Sequence, residues 1–297
     1  MATAKLLLTD LISVVDHVPS NYIRPISDRP NLADVQRRRR APSLSLIFSA
    51  STAPTTDIIQ QIAQACQNYG FFQVKNHGVP AEMIDGMLNI AREFFRLHCY
   101  PLEDYIHEWP SNPPSFREEV GEYCTSVRGL VLKLLEAISE SLGLQKDYIV
   151  KALGKQAQHM ALNYYPPCPE PELTYGLPGH TDGNLITILL QDDVPGLQVL
   201  RKGKWVAVNP IPNTFIINIC DQMQVISNDR YKSVLHRAVV NCNKERISVP
   251  TFYCPSPDAL IGPAKELVSH DQPAMYRNFT YAEFYSKFWD RGLPKQN

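Results

Sequence analysis

The sequence predicts an α+β fold that is mainly β, in which a double-stranded β-helix (jelly roll) core is supported by helices from the N-terminal part of the chain. Two observations predict this fold. Amphipathic helical patterns fill much of the chain before residue 155, and short apolar runs separated by turn residues follow it. Helices first and many short strands afterwards are typical of helices packed on a double sheet.

Two amphipathic helices and an intervening strand are predicted in the first third of the chain. Thr56 is a suitable N-cap for a helix whose apolar positions repeat at helical spacing, and Gly70 is expected to end it. Residues 71–74 read as a buried strand, and a second helix is predicted at about 81–95. Five prolines precede Thr56, so we expect that stretch to be irregular.

A proline-rich loop and a long helix are predicted next. Four prolines between residues 98 and 114 indicate the loop. Ser115 and Glu118 have the spacing of a capping box, so a helix is expected to begin there and to continue as far as Gly143. A short helix is expected at about 147–153.

The second half of the chain carries the predicted strands. Apolar or alternating runs of strand length are separated by turn residues at 160–165, 185–190, 196–200, 204–208, 214–219, 233–240 and 246–253. The amphipathic segment Tyr281–Trp289 is expected to form a helix that packs back on the barrel. We therefore expect one domain over residues 1–297, helical to about residue 155, with a jelly-roll core at about 156–290.

Composition and charge narrow the class of protein. Hydrophobic residues make up 44% and charged residues 20%, and the net charge of −1 argues against a nucleic-acid partner. No apolar run is long enough to span a membrane. The seven Cys, without C-x-x-C pairs, favour a reducing compartment. We expect a cytoplasmic monomer; the basic run Arg37–Arg40 suits a solvated loop better than a nuclear signal, which leaves a nuclear location as the alternative.

The most informative pattern is His180-x-Asp182, followed 54 positions after Asp182 by His236. Residues i and i+2 of a strand point to the same face, so His180 and Asp182 are expected to project together, with His236 joining them from a distant strand. Two imidazoles and one carboxylate can occupy one face of an Fe(II) ion and leave the opposite face open, as in non-haem iron oxygenases. A single His is more often structural than a ligand, but the combination with residues 246–248 favours the metal site.

Arg246-x-Ser248 indicates a site for an acid. Both residues are expected on one strand face, where a guanidinium can hold a carboxylate with two parallel hydrogen bonds and a Ser hydroxyl can add a third. The alternative for a lone Arg is a surface ion pair, but its apolar neighbours favour burial, which would be costly without an anion. Asn163 and Tyr165 share the face of a strand that ends in a proline-rich turn, and we expect them to have a polar role in the pocket.

Together these motifs resemble the plant 2-oxoglutarate- and Fe(II)-dependent dioxygenase superfamily. They are N-Y-Y-P-P-C at 163–168, H-T-D at 180–182, H-R-A-V-V-N at 236–241 and R-I-S at 246–248. The resemblance covers most of 57–95 and 98–290. Within the superfamily, three further stretches are similar to the downy-mildew-resistance oxygenases, the salicylate hydroxylases of plants: 18–30, 97–101 with 108–114, and 158–165.

The resemblance implies an enzyme that uses Fe(II), with 2-oxoglutarate and O2 as cosubstrates and ascorbate as a supporting reductant. The iron ligands that it implies are His180, Asp182 and His236. The residues that it implies for 2-oxoglutarate are Arg246, Ser248 and Tyr165, with Asn163 nearby. The reaction would convert 2-oxoglutarate to succinate and CO2 and would hydroxylate salicylate to a dihydroxybenzoate, a step of salicylic acid catabolism that restrains plant defence.

Three departures from the family pattern bear on the substrate. Residues 37–51 replace a usual strand of the type Pro-x-Ile-Asp-Leu, a few dozen residues between Phe95 and Leu97 are missing, and Cys220 stands where family members usually carry Gly. The missing segment normally contributes to the substrate wall, whereas the implied iron and 2-oxoglutarate residues lie outside it. Two alternatives therefore stand beside a salicylate hydroxylase. One is a flavonoid oxygenase of the flavone-synthase type, and the other is a splice or gene-model variant with impaired catalysis.

Overall fold

The computed structural model describes residues 16–30, 32, 46–47, 55–96 and 112–290. The basic run Arg37–Arg40 and nearly all of the predicted proline-rich loop lie outside these residues. Two 3-10 turns and a short strand, β1 (Leu46–Ile47), interrupt the stretch before Thr55 that was expected to be irregular. Within the described ranges, no helix combines the length and the apolar character needed to cross a membrane.

Four helices precede most of the strands, and they agree closely with the predicted ones. They are α1 (Thr56–Asn68), α2 (Ala81–Arg96), α3 (Phe116–Ser141) and α4 (Tyr148–Ala152). The start of α1 corrects one detail, because Thr55 and not Thr56 is the N-cap. The Thr55 side chain accepts a hydrogen bond from the backbone N–H of Ile58. Gly70 ends this helix at a φ of +66°, a conformation that glycine adopts without a steric penalty.

The predicted capping box at the start of α3 is wrong. Ser115 occupies the N-cap position, but its backbone angles are helical (φ −84°, ψ −2°) and its side chain makes no capping hydrogen bond. A capping Ser needs an extended backbone to direct its hydroxyl toward the free N–H groups of the first turn. The helix is stabilised instead by its buried apolar stripe, which packs against α1 and α2.

The strands form the two sheets of a jelly roll, as predicted. The larger sheet contains β1 and six further strands, β2 (Phe71–Lys75), β3 (Ala157–Met160), β4 (Asn163–Tyr165), β6 (Ile186–Gln191), β9 (Phe215–Ile219) and β11 (Arg246–Cys254). The smaller sheet contains β5 (Leu177–His180), β7 (Leu197–Arg201), β8 (Lys204–Ala207) and β10 (His236–Ala238). Their orders are β1-β2-β9-β6-β11-β3, with β4 also paired to β11, and β5-β10-β7-β8.

Two apolar clusters hold these layers together. The main core joins the helices to one face of the larger sheet and includes fully buried Tyr123, Leu134 and Phe215. A smaller cluster lies between the two sheets, where Phe71 and Ile216 meet Leu197. The central strands β2, β6, β9 and β11 are therefore largely buried on both faces, which explains why they read as nearly continuous apolar runs.

Several strand predictions require correction. The predicted run 160–165 divides into β3 and β4, which pair with different parts of β11. The run 233–240 shortens to the three residues of β10. The strand that was expected to carry both His180 and Asp182 is β5, and it ends at His180. The short helix α5 (Asp221–Ile226) was not predicted.

The C-terminal helix is confirmed as α6 (Tyr281–Asp290), and it follows the strand pair β12 (Leu260–Ile261) and β13 (Phe279–Thr280). Its aromatic side chains pack against the loop that follows β5. A β-carbon added at Gly183 would lie 3.1 Å from the Phe288 ring and 3.3 Å from the Phe284 ring. The helix thus supports the loop that contains Asp182.

Candidate active site

A cavity of about 140 Å³ lies between the two sheets. All seven residues predicted for the site line it: Asn163, Tyr165, His180, Asp182, His236, Arg246 and Ser248. Apolar side chains such as Phe71, Leu189 and Phe252 complete the described part of the wall. The cavity is small, since ligand pockets usually measure roughly 300–1,000 Å³.

Three predicted metal ligands meet at this cavity, although not by the route that their spacing suggested. His180 is the last residue of β5 and faces His236, the first residue of β10, as its cross-strand partner. Asp182 lies beyond the end of β5, so the prediction that it shares a strand face with His180 is wrong. One nitrogen of each ring and one carboxylate oxygen lie within 4.8 Å of one another. Asp182 is brought there by the loop after β5, which is paired with the start of α5 through the Asp221 N–H.

Each imidazole is oriented by the backbone carbonyl two residues before it in the chain. His180 Nδ1 lies 2.8 Å from the carbonyl oxygen of Pro178, and His236 Nδ1 lies 3.1 Å from that of Val234. An Nδ1–H group that donates to a carbonyl leaves the Nε2 lone pair available for a metal. The two Nε2 atoms lie 3.5 and 3.6 Å from the same atom, Oδ1 of Asp182. Burial lowers the pKa of His236, which favours the neutral ring that a metal requires.

The second carboxylate oxygen of Asp182 has partners of its own. Thr187 Oγ1 donates to Oδ2 at 2.8 Å, and Asn218 Nδ2 donates to Oδ2 at 2.7 Å. Burial acts to raise the pKa of Asp182, but the adjacent imidazoles and the Thr187 hydroxyl outweigh it, so the pKa lies below its usual value. Neither donor was predicted from the sequence. Each donor is a polar residue within an apolar stretch of the sequence, and Thr187, for example, lies between Ile186 and Ile188.

Arg246 is only 2% exposed, and its charge is incompletely satisfied. Its Nη2 donates to Gln191 Oε1 at 2.9 Å, and its Nη1 lies 3.4 Å from Ser248 Oγ. Its Nε has no hydrogen-bond partner among the described residues. Burial lowers the pKa of this guanidinium. Asp192 acts on the guanidinium electrostatically, but the hydrogen-bond partners are neutral and one donor is unused, which fits an acidic ligand.

The pairing of β4 with β11 brings the other predicted residues to the same place. Tyr165 pairs with Arg246, and Asn163 pairs with Ser248. The Arg246 guanidinium lies 5.1 Å from the centre of the Tyr165 ring, and Asn163 Nδ2 lies 3.5 Å from Ser248 Oγ. Four side chains predicted to surround one acid are therefore neighbours in space.

Cys220, the departure from the family pattern next to the site, is fully buried. Its Sγ lies 3.3 Å from Thr187 Oγ1 and 3.8 Å from Asp182 Oδ2. Burial raises the pKa of this thiol well above its usual value. The Cys220 side chain is therefore neutral and fills the space behind the Asp182 carboxylate.

Comparison with known proteins identifies the family. One family model, described as the 2OG-Fe(II) oxygenase superfamily, matches residues 156–255. Another, described as the non-haem dioxygenase in morphine synthesis N-terminal, matches residues 42–118. Protein DMR6-LIKE OXYGENASE 2 of Arabidopsis thaliana is 58% identical over 338 aligned positions, which cover 100% of this chain and 97% of that protein. Flavanone 3-dioxygenase 2 of Oryza sativa subsp. japonica is 48% identical, with 96% of this chain and 94% of that protein covered.

A solved structure supports the same family, and the length of the alignment shows that positions of one relative are absent from this chain. The crystal structure of JOX2 in complex with 2-oxoglutarate, iron and JA matches with a TM-score of 0.82 at 33% identity, covering 98% of this chain and 95% of that one. The 338 aligned positions exceed the 297 residues of this chain by 41, so at least 41 positions of that Arabidopsis relative have no counterpart here. The chain is an enzyme that belongs to the 2OG-Fe(II) oxygenase superfamily, with Fe(II) and 2-oxoglutarate as its cofactors, and it is of the DMR6-like type.

Proposed function

We propose that this chain hydroxylates salicylate to a dihydroxybenzoate. The observation that carries the chemistry of this proposal is the juxtaposition of buried, incompletely paired Arg246 with His180, Asp182 and His236 around one cavity, while the choice of salicylate rests on the relatives. A cluster of metal ligands alone would be compatible with many kinds of metalloprotein. A cluster with an acid-binding cation beside it is what an iron enzyme with a keto-acid cosubstrate requires.

In this proposal His180, Asp182 and His236 hold Fe(II). The donor set fits the ion, because two neutral imidazoles and one charged carboxylate match the ligands of non-haem Fe(II) oxygenases. Bound Fe(II), with 2-oxoglutarate and O2, supplies the oxidising power for hydroxylation, while 2-oxoglutarate becomes succinate and CO2. The protein contributes orientation, because the Pro178 and Val234 carbonyls fix both rings with Nε2 toward the cavity.

Arg246, Ser248 and Tyr165 hold 2-oxoglutarate in this proposal, with Asn163 beside them. The Arg246 Nε offers a donor that no described side chain uses. Ser248 Oγ and the Tyr165 ring lie beside the guanidinium, so a carboxylate docked there would gain several partners at once. Burial strengthens each of these contacts, because little water competes for the charge.

Salicylate is supported by the resemblance at 18–30 and 158–165 and by the relationship to the DMR6-like oxygenases. The apolar wall formed by Phe71, Leu189 and Phe252 suits an aromatic ring. A flavonoid substrate is the second candidate, because a flavanone 3-dioxygenase of rice is 48% identical over nearly the whole chain.

The missing positions support a further proposal about activity. We place them between Phe95 and Leu97, where the family pattern is interrupted. The residues that bind Fe(II) and 2-oxoglutarate in our proposal all lie after residue 160, within a single domain whose N-terminal part is helical. The half of the site that forms the oxidant is then complete, whereas the wall that selects the substrate is incomplete. We expect impaired coupling, in which succinate forms faster than hydroxylated product.

One assay tests the proposed function. The purified protein is supplied with Fe(II), ascorbate and 2-oxoglutarate, and salicylate or naringenin is added in turn, while succinate and hydroxylated product are quantified. Product from salicylate alone supports the proposal, and product from naringenin alone supports the flavonoid alternative. Absence of succinate with either substrate, at the level of an Asp182→Ala control, would favour a form without catalysis.

A second experiment tests the effect of the gap. The corresponding segment of DMR6-LIKE OXYGENASE 2 is inserted after Arg96, and the ratio of succinate to hydroxylated product is compared with that of the natural chain. We expect the ratio to fall toward one and salicylate turnover to rise. If turnover does not rise, the gap does not limit the substrate wall.

A further inference from the structure

The structure assigns Thr187 and Asn218 as positioning residues for Asp182. Both donate hydrogen bonds to one carboxylate oxygen of Asp182, so that only the other oxygen is free to bind the metal. This inference rests on the proposed function, because it takes Asp182 to be an iron ligand. Its subject is how many carboxylate oxygens the protein offers to the ion. The three ligating residues alone do not determine that number.

The two oxygens of Asp182 have different surroundings. Oδ1 is the atom that both imidazole Nε2 atoms face, at 3.5 and 3.6 Å. Oδ2 accepts from Thr187 and Asn218 at 2.8 and 2.7 Å. Hydrogen bonds to a charged carboxylate are shorter and stronger than neutral ones. Rotation that brought Oδ2 to the metal would break both.

The Thr187 hydroxyl has a defined direction. Asn184 Nδ2 donates to Thr187 Oγ1 at 3.2 Å and to the Ile186 carbonyl at 2.8 Å. A hydroxyl has a single proton to donate, and Asp182 Oδ2 at 2.8 Å is a nearer and more highly charged acceptor than Asn184 Oδ1 at 3.4 Å. Asn184 therefore donates to one of the two lone pairs of Thr187 Oγ1, and the Thr187 proton is left for Asp182.

The two donors belong to a rigid part of the fold. Thr187 on β6 and Asn218 on β9 are direct cross-strand partners in the larger sheet. They are 4% and 3% exposed. Asp182 itself lies in a loop beyond the end of β5 in the smaller sheet. The larger sheet thus fixes a ligand that its own loop would hold less firmly.

The arrangement has a direct consequence for the metal. A carboxylate that binds through both oxygens occupies one more coordination position than a carboxylate that binds through one. A position taken in that way is lost to the cosubstrates, which need the open face of the ion. Thr187 and Asn218 would keep that position open by engaging Oδ2.

The test measures the binding of Mn(II), a spectroscopic substitute for Fe(II), to the full chain. The measurement does not depend on turnover with O2. The variants are Thr187→Val, which removes the hydroxyl at constant size, Thr187→Ser, which retains it, and Asn218→Leu. Thr251→Val is the matched control, because Thr251 is also fully buried in the larger sheet but does not line the cavity. Free Mn(II) is quantified by electron paramagnetic resonance, and water on the bound ion by proton relaxation.

We expect Thr187→Val and Asn218→Leu to weaken Mn(II) binding by about tenfold or more, the usual effect of losing a group that orients a ligand. We also expect the relaxation enhancement of each bound ion to fall, because freed Oδ2 displaces water. Thr187→Ser and Thr251→Val should resemble the wild type. Unchanged affinity in Thr187→Val and Asn218→Leu would overturn the inference, as would weaker binding with unchanged relaxation.

The same measurements separate this inference from the proposed function. If the wild-type chain and Asp182→Ala bind Mn(II) equally, the proposed metal site is wrong and this inference falls with it. If the wild type binds Mn(II) and Asp182→Ala does not, the metal site stands. The result for Thr187→Val then decides the inference alone. A variant that fails to fold is recognised by circular dichroism, and Asn218→Leu decides in its place.

Discussion

Gly196 and Arg246 lie so close that any side chain at position 196 would collide with the side chain of Arg246. A β-carbon at Gly196 would be 2.6 Å from Arg246 Cδ and 2.8 Å from Nε. The N–H of Val239 is meanwhile bonded to the Gly196 carbonyl, which prevents the backbone from moving away. Gly196 therefore creates the space in which the guanidinium lies, and it shapes the cosubstrate site that we propose at Arg246.

Gly196→Ala is expected to weaken 2-oxoglutarate binding to the Mn(II)-loaded protein by about tenfold or more, equivalent to about 1.4 kcal/mol. The added methyl would push Arg246 away from Ser248 and Tyr165. Calorimetric titration with 2-oxoglutarate measures the effect. Gly129→Ala is the matched control, because a β-carbon at that helical position would meet no atom within 4 Å apart from its chain neighbours and the adjacent backbone of its own helix. Equal affinities in both variants would show that Arg246 does not set the cosubstrate position.

The fold and most site residues were predictable because their signals are local. Helical periodicity placed α1 to α3, and H-x-D, His236 and Arg246-x-Ser248 identified the residues that the structure brings to one cavity. Periodicity could not place Asp182, because β5 ends at His180 and the loop is held by α5 and the larger sheet. That support depends on contacts between residues far apart in sequence.

The donors to Asp182 were missed for a related reason. Thr187 is read from the sequence as an ordinary strand residue, since threonine has high strand propensity. Its role becomes visible only when β6 and β9 are paired, which places it beside Asn218. At Ser115 the sequence instead indicated a feature that the structure lacks. The spacing of Ser115 and Glu118 matches a capping box, but the backbone at Ser115 is already helical.

Cys220→Gly, which restores the usual family residue, is expected to destabilise this chain by on the order of 1–2 kcal/mol. The substitution leaves unfilled space beside Thr187 and Asp182 and adds backbone freedom in the unfolded state. Urea unfolding measures the change in the free energy of unfolding. Cys242→Gly is the control, since Cys242 is exposed and its side chain fills no cavity. A loss of stability no greater than that of the control would show that the surroundings of Cys220 collapse to fill the space.

Glu283 on α6 is expected to remain ionised to unusually low pH. It accepts hydrogen bonds from Arg277 at 2.6 Å and from Lys287 at 2.9 Å, which lower its pKa to about 2. A carboxyl whose folded pKa is depressed adds stability above its unfolded pKa of about 4.3, and that stability is lost as pH falls toward 2. A carbon-13 titration of the Glu283 carboxyl should give a midpoint near 2, and Arg277→Ala should raise it. A midpoint near 4.3 in the wild type would mean that solvent screens both contacts.

Arg246→Met is expected to make the ligand-free chain more stable while abolishing its response to 2-oxoglutarate. Arg246 is buried with neutral hydrogen-bond partners and an unused Nε, so an apolar side chain of similar length removes a desolvation cost. Replacing a complete buried ion pair with packed apolar groups often stabilises by about 1–4 kcal/mol, and we expect a gain at the low end here because Asp192 loses its electrostatic interaction with Arg246. Urea unfolding, with and without Mn(II) and 2-oxoglutarate, measures both effects. The wild type should gain about 2.7 kcal/mol when 2-oxoglutarate is at 100 times its dissociation constant, and Arg246→Met should gain none from the keto acid.

The control for this prediction is Arg246→Lys, which keeps the charge but loses the planar fork of donors. It should gain no stability in the ligand-free state and should respond weakly to 2-oxoglutarate. If Arg246→Met is instead less stable than the wild type without ligand, Ser248, Gln191 and the Tyr165 ring already compensate the buried cation. The requirement for an acid in the cavity would then lose its main physical support, because the guanidinium would be satisfied by the protein alone.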